Sequence, residues 1–296
     1  MNETTKQTKN TVRMGKPSRP VQGRDEGRFH LDGVSHSFDP RVEAIRADLA
    51  DVELADRHFA PHYAKAVNRT AIAPRTPIFK KPDAESEMIS ELLYGEGFAL
   101  LDVTSGWAWG YTLHDHYVGY VDVSALGPYA EPTHRVIATT AIDGGVTLPV
   151  GALVNGNASV AADNLAPLGD VAADPVATIE PLLDVPYLWG GRSNEGIDCS
   201  GLVQLMLARA GIAAPRDSDL QLEGLSGDIG EGETLQRGDI IFFPDHVGVM
   251  TDATTLLHAT QHYGKVASEP LSDVVSRMEA EGRTPTVLGR KRVLQG

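Results

Sequence analysis

The chain of 296 residues carries a formal charge of −14 and one cysteine. That length fits about two domains with a substantial core, and the charge argues against nucleic acid or an anionic membrane surface as main partner. One cysteine allows no intrachain disulfide framework and no four-cysteine zinc site, so neither a metal nor another cofactor is expected.

Residues 1–38 are polar, rich in Lys, Arg, Thr and Gly, and lack an apolar run, the composition of a disordered tail. They offer no apolar core for a secretory signal, and no stretch reaches the roughly 18 apolar residues of a membrane span. The expected address is therefore cytoplasmic. Residues 39–72 read as a charged helix with Val42, Ile45, Leu49 and Leu54 as its apolar positions, either a strap on the next domain or a loose linker.

Residues 73–130 switch to short β segments around 77–79, 92–94, 98–101, 107–111 and 117–121, divided by Gly95-Glu96-Gly97, Ser105-Gly106 and His114-Asp115-His116. Such spacing predicts a small barrel. Trp107 and Tyr120 have a core reading and a binding reading; the need to fill a small barrel favours core. Residues 131–172 hold a weaker β-like stretch, an abbreviated second unit ending in a linker. Asp174 and Pro175 then predict a helix start, with a helix near 175–184.

In Asp198-Cys199-Ser200-Gly201 the sole cysteine opens a helix whose Leu202, Val203, Met206 and Leu207 recur at helical spacing up to Gly211. The positive end of the helix dipole there is expected to lower the thiol pKa from about 8.5 and favour thiolate. Strands are predicted near 239–243, 246–250, 254–260 and 285–294. A hairpin centred on Asp252 would set His246 directly opposite His258. A cysteine, a histidine base and a second polar group that orients the base form the arrangement of nucleophilic amide hydrolysis. His258 also has a bland reading, a strand histidine bonded to backbone.

Taken together, Tyr187-x-Trp189-Gly190-Gly191, Asp198 to Gln204, Gly238 to Phe243, His246-Val247-Gly248-Val249 and Leu257-His258-Ala259 resemble the NlpC-type cysteine peptidases of bacterial cell walls, over residues 173–296. Gly119-Tyr120-Val121-x-x-Ser124-Ala125-Leu126 resembles the bacterial SH3-type domains that commonly precede them. The fold implied is a multidomain β plus α+β chain: one or more SH3-type barrels, then a papain-like α+β peptidase domain. The resemblance implies Cys199 as nucleophile, His246 as base, His258 as its orienting partner and Tyr187 as an oxyanion donor, although Tyr187 also has a packing reading beside Trp189. It further implies that Asp217 and Ser218, in Pro215-Arg216-Asp217-Ser218-Asp219, bind the free N-terminal amine of an L-Ala-γ-D-Glu peptide, with Tyr117 and Glu87 of the SH3-type domain closing the pocket. A solvated loop is the plainer reading of that run. Asp198 matches the motif as a helix N-cap and not as a catalytic acid, and together with Trp189 and Ser200 it completes the expected substrate-contacting set.

The implied substrate is a peptidoglycan-derived peptide cut at the γ-D-glutamyl–diamino acid bond. The alternatives are a hydrolase remodelling intact wall, an inactive wall-binding module, and an acyltransferase of a permuted related fold. Because Cys199 precedes the histidines, chain order disfavours the last, and the intact Cys199, His246 and His258 set disfavours the inactive module.

Overall fold

The computed structural model describes residues 38–142, 145–156 and 158–294. The polar tail read into residues 1–38 lies outside them, apart from Phe38. Residues 39–72 are not helical. A short strand at Leu49–Asp51 pairs in parallel with His62–Ala64, and a single 3-10 turn, Val52–Leu54, is capped by the Asp51 side chain. The apolar spacing there matched a helix over too few residues to define a period, and an Asp bonding its own backbone favours a turn over an α-helix. The segment does lie as a strap: Ala44 and Leu49 pack on Trp109, Tyr111 and Val118.

The barrel begins earlier than its composition indicated. Its strands are β1 (Val67–Ala71), β2 (Arg75–Phe79), β3 (Met88–Leu93), β4 (Gly97–Thr104), β5 (Trp107–Thr112), β6 (Val118–Asp122) and β7 (Leu126–Pro128). They form one sheet, ordered β3-β2-β6-β5-β4-β1-β7, in which every pair is antiparallel. Strand alternation explains its two apolar faces. Phe98, Ala108 and Val121 point inward with Ile78 and Leu92, while Ala99, Leu101, Trp109 and Tyr111 face the strap. Trp107 and Tyr120, favoured as core from sequence, are only half-buried; Trp107 sits edge-on to Phe79 at 5.6 Å. Aliphatic residues and Phe98 fill the interior instead.

Residues 131–172 carry a three-stranded sheet, with His134–Val136 between Leu153–Val154 and Leu165–Pro167, and a small hairpin of Thr140–Ala141 with Thr147–Leu148. Its core, Val136, Leu148, Ala152 and Val154, is completed by Leu93 of β3. At this size a unit lacks enough apolar area to stand alone, so the shared core is expected on physical grounds.

The helix predicted near 175–184 is replaced by two 3-10 turns, Val176–Thr178 and Glu180–Leu182. Asp174 still caps the first, accepting from the Val176 and Ala177 amides. Pro181, without an N–H, stops the turns from joining into an α-helix.

The peptidase region contains α1 (Cys199–Arg209), α2 (Ser218–Gly224), β8 (Ile240–Phe243), β9 (His246–Met250), β10 (Thr255–Thr260), β11 (Lys265–Pro270), α3 (Leu271–Ala280) and β12 (Gly289–Lys291). The five strands form an antiparallel sheet ordered β11-β10-β9-β8-β12. Both faces are covered. Ile240, Phe242, Val247, Val249 and Leu257 pack on Leu202, Val203 and Met206 of α1, whereas Ile241, Phe243, Met250 and Leu256 pack on Val274 and Met278 of α3. A strand buried on both faces has no polar alternation to keep, hence the run Ile-Ile-Phe-Phe. At roughly 1.5–3 kcal/mol per fully buried large apolar side chain, the α1 layer is a main source of stability here.

Candidate active site

Asp198 starts α1 and accepts from the Gly201 amide at 2.8 Å, the N-cap bond that satisfies an otherwise orphaned donor. Its second oxygen accepts from the Gly190 amide at 2.8 Å, which ties the helix start to the Trp189-Gly190-Gly191 turn. A Cβ at Gly201 would meet the Gly191 carbonyl oxygen at 2.5 Å, so the Asp-Cys-Ser-Gly run needs glycine for this close approach. Buried Arg216 closes the corner, bonding Asp198 at 2.5 and 3.0 Å and the Ser200 hydroxyl at 2.8 Å. The carboxylate of Asp198 and the hydroxyl of Ser200 are thereby engaged within the protein. Both residues border the cleft, and their internal bonds also hold the cysteine turn in place.

Cys199 is 7% exposed. Contrary to the expectation of a lowered value, burial and then the Asp198 charge push its thiol pKa up to about 12, outweighing the backbone N–H donors. One of those donors is Val247, adjacent in sequence to His246, and its N–H reaches the Cys199 sulfur. Burial, then neighbouring His258, lowers the His246 pKa to about 3. Burial thus disfavours a lone charge on either residue.

His246 and His258 meet, but not as directly opposed residues. In the observed register Val249 faces Leu257 and Met250 faces Leu256, which centres the turn on Ala253 and shifts the residue opposite His258 by two positions. Asp252 accepts from the Thr254 and Thr255 amides, and this side-chain turn absorbs the extra residues. Gly248 therefore stands beside His258, where an added Cβ would lie 3.0 Å from the His258 Cβ. The diagonal places His246 Nε2 2.7 Å from His258 Nδ1. His258 is fully buried, and its Nε2 lies 3.0 Å from Oε1 of Glu269. That carboxylate accepts from Arg277 at 2.6 and 3.0 Å and from the Tyr263 hydroxyl at 3.1 Å. The sequence reading missed Glu269, Arg277 and Tyr263 together with the elements β11 and α3 that carry two of them.

Tyr187 packs against the cluster that contains Cys199, and its hydroxyl is 3.5 Å from Gln261 Nε2. Burial first, then the Cys199 and Asp198 charges, raise its pKa, so it remains a protonated donor.

A cleft of about 870 Å³ opens in front of Cys199, between the SH3-type sheet and the peptidase domain. Trp189, Asp217, Ser218, Tyr117 and Glu87 all line it. The Tyr117 hydroxyl donates to Asp217 at 3.0 Å across the two domains. Glu87 borders the same space but is half-exposed and paired with Lys80 at 3.1 Å. Trp189 is 53% exposed, a large apolar side chain presented to the cleft and not packed in a core. Unanticipated is Arg41 of the strap, whose guanidinium bonds Asp39, Asp217 at 2.9 Å and Asp219 at 2.8 Å. Burial raises the Asp217 pKa even though Arg216 and Arg41 oppose the rise. Two histidine pairs have His-x-x-x-His spacing, His58 with His62 and His258 with His262; among the described residues no cluster of three or more metal-ligating side chains occurs.

A cysteine on a helix N-terminus, packed against a sheet that presents a histidine pair, is the arrangement of a papain-like cysteine peptidase. Residues 184–282 match the NlpC/P60 family, and residues 78–126 match the bacterial dipeptidyl-peptidase Sh3 domain. The chain therefore carries a peptidase domain of the NlpC/P60 family behind a bacterial SH3-type domain. It is 24% identical over 241 residues to dipeptidyl-peptidase 6 of Lysinibacillus sphaericus, covering 66% of this chain and 88% of that protein. It is 33% identical over 109 residues to a γ-D-glutamyl-L-lysine dipeptidyl-peptidase of Bacillus cereus, covering 34% of this chain and only 32% of that relative. An NlpC/P60 family protein of Bacillus cereus solved by crystallography shares the fold, with a TM-score of 0.65 at 18% identity, covering 77% of this chain and all of the other.

Proposed function

We propose that the protein hydrolyses the γ-D-glutamyl–diamino acid bond of peptidoglycan stem peptides whose N-terminal L-Ala is free, as in the recycling of released muropeptides. The observation that carries this reading is the half-buried carboxylate of Asp217 at the cleft, bonded by Tyr117 of the SH3-type domain. An ammonium at this point gains charge-assisted hydrogen bonds from Asp217, with Ser218 beside it and Glu87 on the opposite wall. It shares Asp217 with Arg41, and Asp219 adds the further negative charge that lets two cations sit nearby. An acylated or glycan-linked N-terminus brings no charge and more bulk.

In the reaction, Cys199 Sγ attacks the γ-carbonyl carbon of the D-Glu residue as its proton passes to His246. The Cys199 N–H and the Tyr187 hydroxyl hold the oxyanion. Collapse breaks the C–N bond, His246 returns the proton to the departing amine, and a thioester remains. Water then attacks that thioester as His246 accepts one of its protons; collapse breaks the C–S bond, His246 returns that proton to the Cys199 sulfur, and L-Ala-γ-D-Glu leaves as the γ-carboxylic acid, which ionises to solvent. Desolvation costs each charged group less when thiolate and imidazolium form together in the presence of substrate.

The reading goes with a cytoplasmic address, where released peptides are found and intact wall is not; among the described residues no helix is long and apolar enough to cross a membrane. Incubation of the purified protein with L-Ala-γ-D-Glu-diamino acid tripeptide and, separately, with intact sacculi tests it by product mass. A dipeptide plus free diamino acid from the tripeptide, with sacculi untouched, is expected. Efficient release of fragments from sacculi would favour the wall-remodelling alternative instead.

A further inference from the structure

The hydrogen bonds of the site do not end at the two histidines. They cross three adjacent strands: His246 on β9, His258 on β10 and Glu269 on β11. Glu269 lies two residues beyond Ala267, the cross-strand partner of His258, and so shares its face of the sheet. We infer that Glu269 is a positioning residue that sets the tautomer of both histidines, and so decides which nitrogen of His246 is free to accept the cysteine proton.

Arg277 grips both oxygens of Glu269, at 2.6 and 3.0 Å, and the Tyr263 hydroxyl donates at 3.1 Å, while the guanidinium lies 5.6 Å from the Tyr263 ring centre. An ionised carboxylate so held can only accept. His258 must then carry its proton on Nε2 to bridge the 3.0 Å to Oε1, which leaves Nδ1 as a lone pair. Across the next 2.7 Å, His246 must donate from Nε2. Its Nδ1 is left unprotonated. Without an acceptor at position 269 the reversed set is equally allowed: His258 protonated on Nδ1, donating to His246 Nε2, and His246 protonated on Nδ1. That set occupies the nitrogen a base needs, and a wrong tautomer is costly even when geometry is intact. The competing account is that Glu269 and Arg277 only staple β11 to α3.

The test uses the whole protein with 15N-labelled histidine. In the wild type, NMR is expected to show both His246 and His258 protonated on Nε2; protonation of His246 on Nδ1 would overturn the inference without any variant. Glu269→Leu is expected to lower kcat about tenfold to a hundredfold, the cost of losing comparable supporting hydrogen bonds behind metal-bound histidines. KM should stay within about twofold, since the group touches no substrate, and the NMR should show His246 moving to the Nδ1-protonated form. Glu269→Gln, whose amide oxygen still accepts from His258, should recover most of kcat. A Leu variant that is folded and fully active, or slow with its His246 tautomer unchanged, would leave the staple account standing. Should that variant fail to fold, the wild-type tautomers and the Gln variant decide. The kinetic readout rests on the hydrolase reading above, whereas the tautomers do not; a wild type without turnover counts against that function and leaves the NMR result to judge Glu269.

Discussion

Cys199 and His246 are each poised without charge, for the same reason: burial penalises either ion made alone. Because the His246 pKa is lowered, the imidazole remains an unprotonated base well below its ordinary value near 6.5. The acid limb of the kcat/KM profile for the free enzyme is therefore expected below pH 6.5, with activity lost only as falling pH protonates His246. A limb at or above 6.5 would mean that the base is better hydrated than its burial indicates. Cys199→Ala should abolish hydrolysis while leaving the thermal midpoint near wild type, because a methyl group fits the position but cannot attack. Removal of His246 as alanine should cost about 10²–10⁴ in kcat, the usual worth of a general base, and His258→Ala less. Equal losses, or the reverse order, would exchange the two roles.

Among the elements, the cysteine helix was the most legible because its signals are local: a cap, the sole cysteine, apolar residues at helical spacing and a stop at Gly211. The β9–β10 hairpin was legible in kind but not in register, since the Asp252 side chain widens the turn and no apolar alternation marks a strand buried on both faces. In α3, Leu271, Val274, Val275 and Met278 do recur at helical spacing, so this helix was readable and went unread; Pro270 before it was the start signal. Segment 39–72 erred the other way, where three or four spaced apolar residues imitated a helix. Gly248 is the element-scale residue on which the histidine pair depends. A Cβ there would lie 2.9 Å from Leu256 Cδ2 and 3.0 Å from His258 Cβ, both within the packed sheet. Gly248→Ala is expected to destabilise by about 1–3 kcal/mol and to lower kcat by displacing His258. Denaturant unfolding and turnover measured together check this; a wild-type kcat would show that the diagonal tolerates a wider strand spacing.

At the scale of the whole molecule, buried polar bonds fix the two domains around the cleft. Arg192 beside the cysteine helix bonds Glu96 at 2.8 Å, its amide donates to Glu91 at 2.7 Å, and Gln204 of α1 donates to Asp115 at 2.8 Å. Arg216 reaches Ser90 at 3.0 Å. No local pattern announces such partners: Arg192 and Glu96 are 96 residues apart, and either alone reads as a surface charge. Burial opposes the Glu96 charge, but Arg192, His114 and the Leu93 amide together outweigh it, so the carboxyl pKa lies below its ordinary 4.5. A lowered folded pKa means that its contribution is complete above about pH 4.5 and lost as pH falls through the folded value. Glu96→Ala, which strands a buried guanidinium, should cost about 3–5 kcal/mol at neutral pH, and the gap from wild type should narrow below pH 4.5. A constant gap across that range in urea titrations would remove Glu96 ionisation from the domain contact.

The same junction brings Tyr117 to Asp217, the pair on which the proposed preference for a free N-terminus rests. The most direct measurement is kcat/KM for L-Ala-γ-D-Glu-diamino acid with a free or an N-acetylated alanine, in the wild type and in Asp217→Asn. The account predicts that acetylation lowers the wild-type value by about a hundredfold or more and that the asparagine variant loses much of this preference by slowing on the free peptide. Comparable rates on the free and acetylated peptides would contradict it.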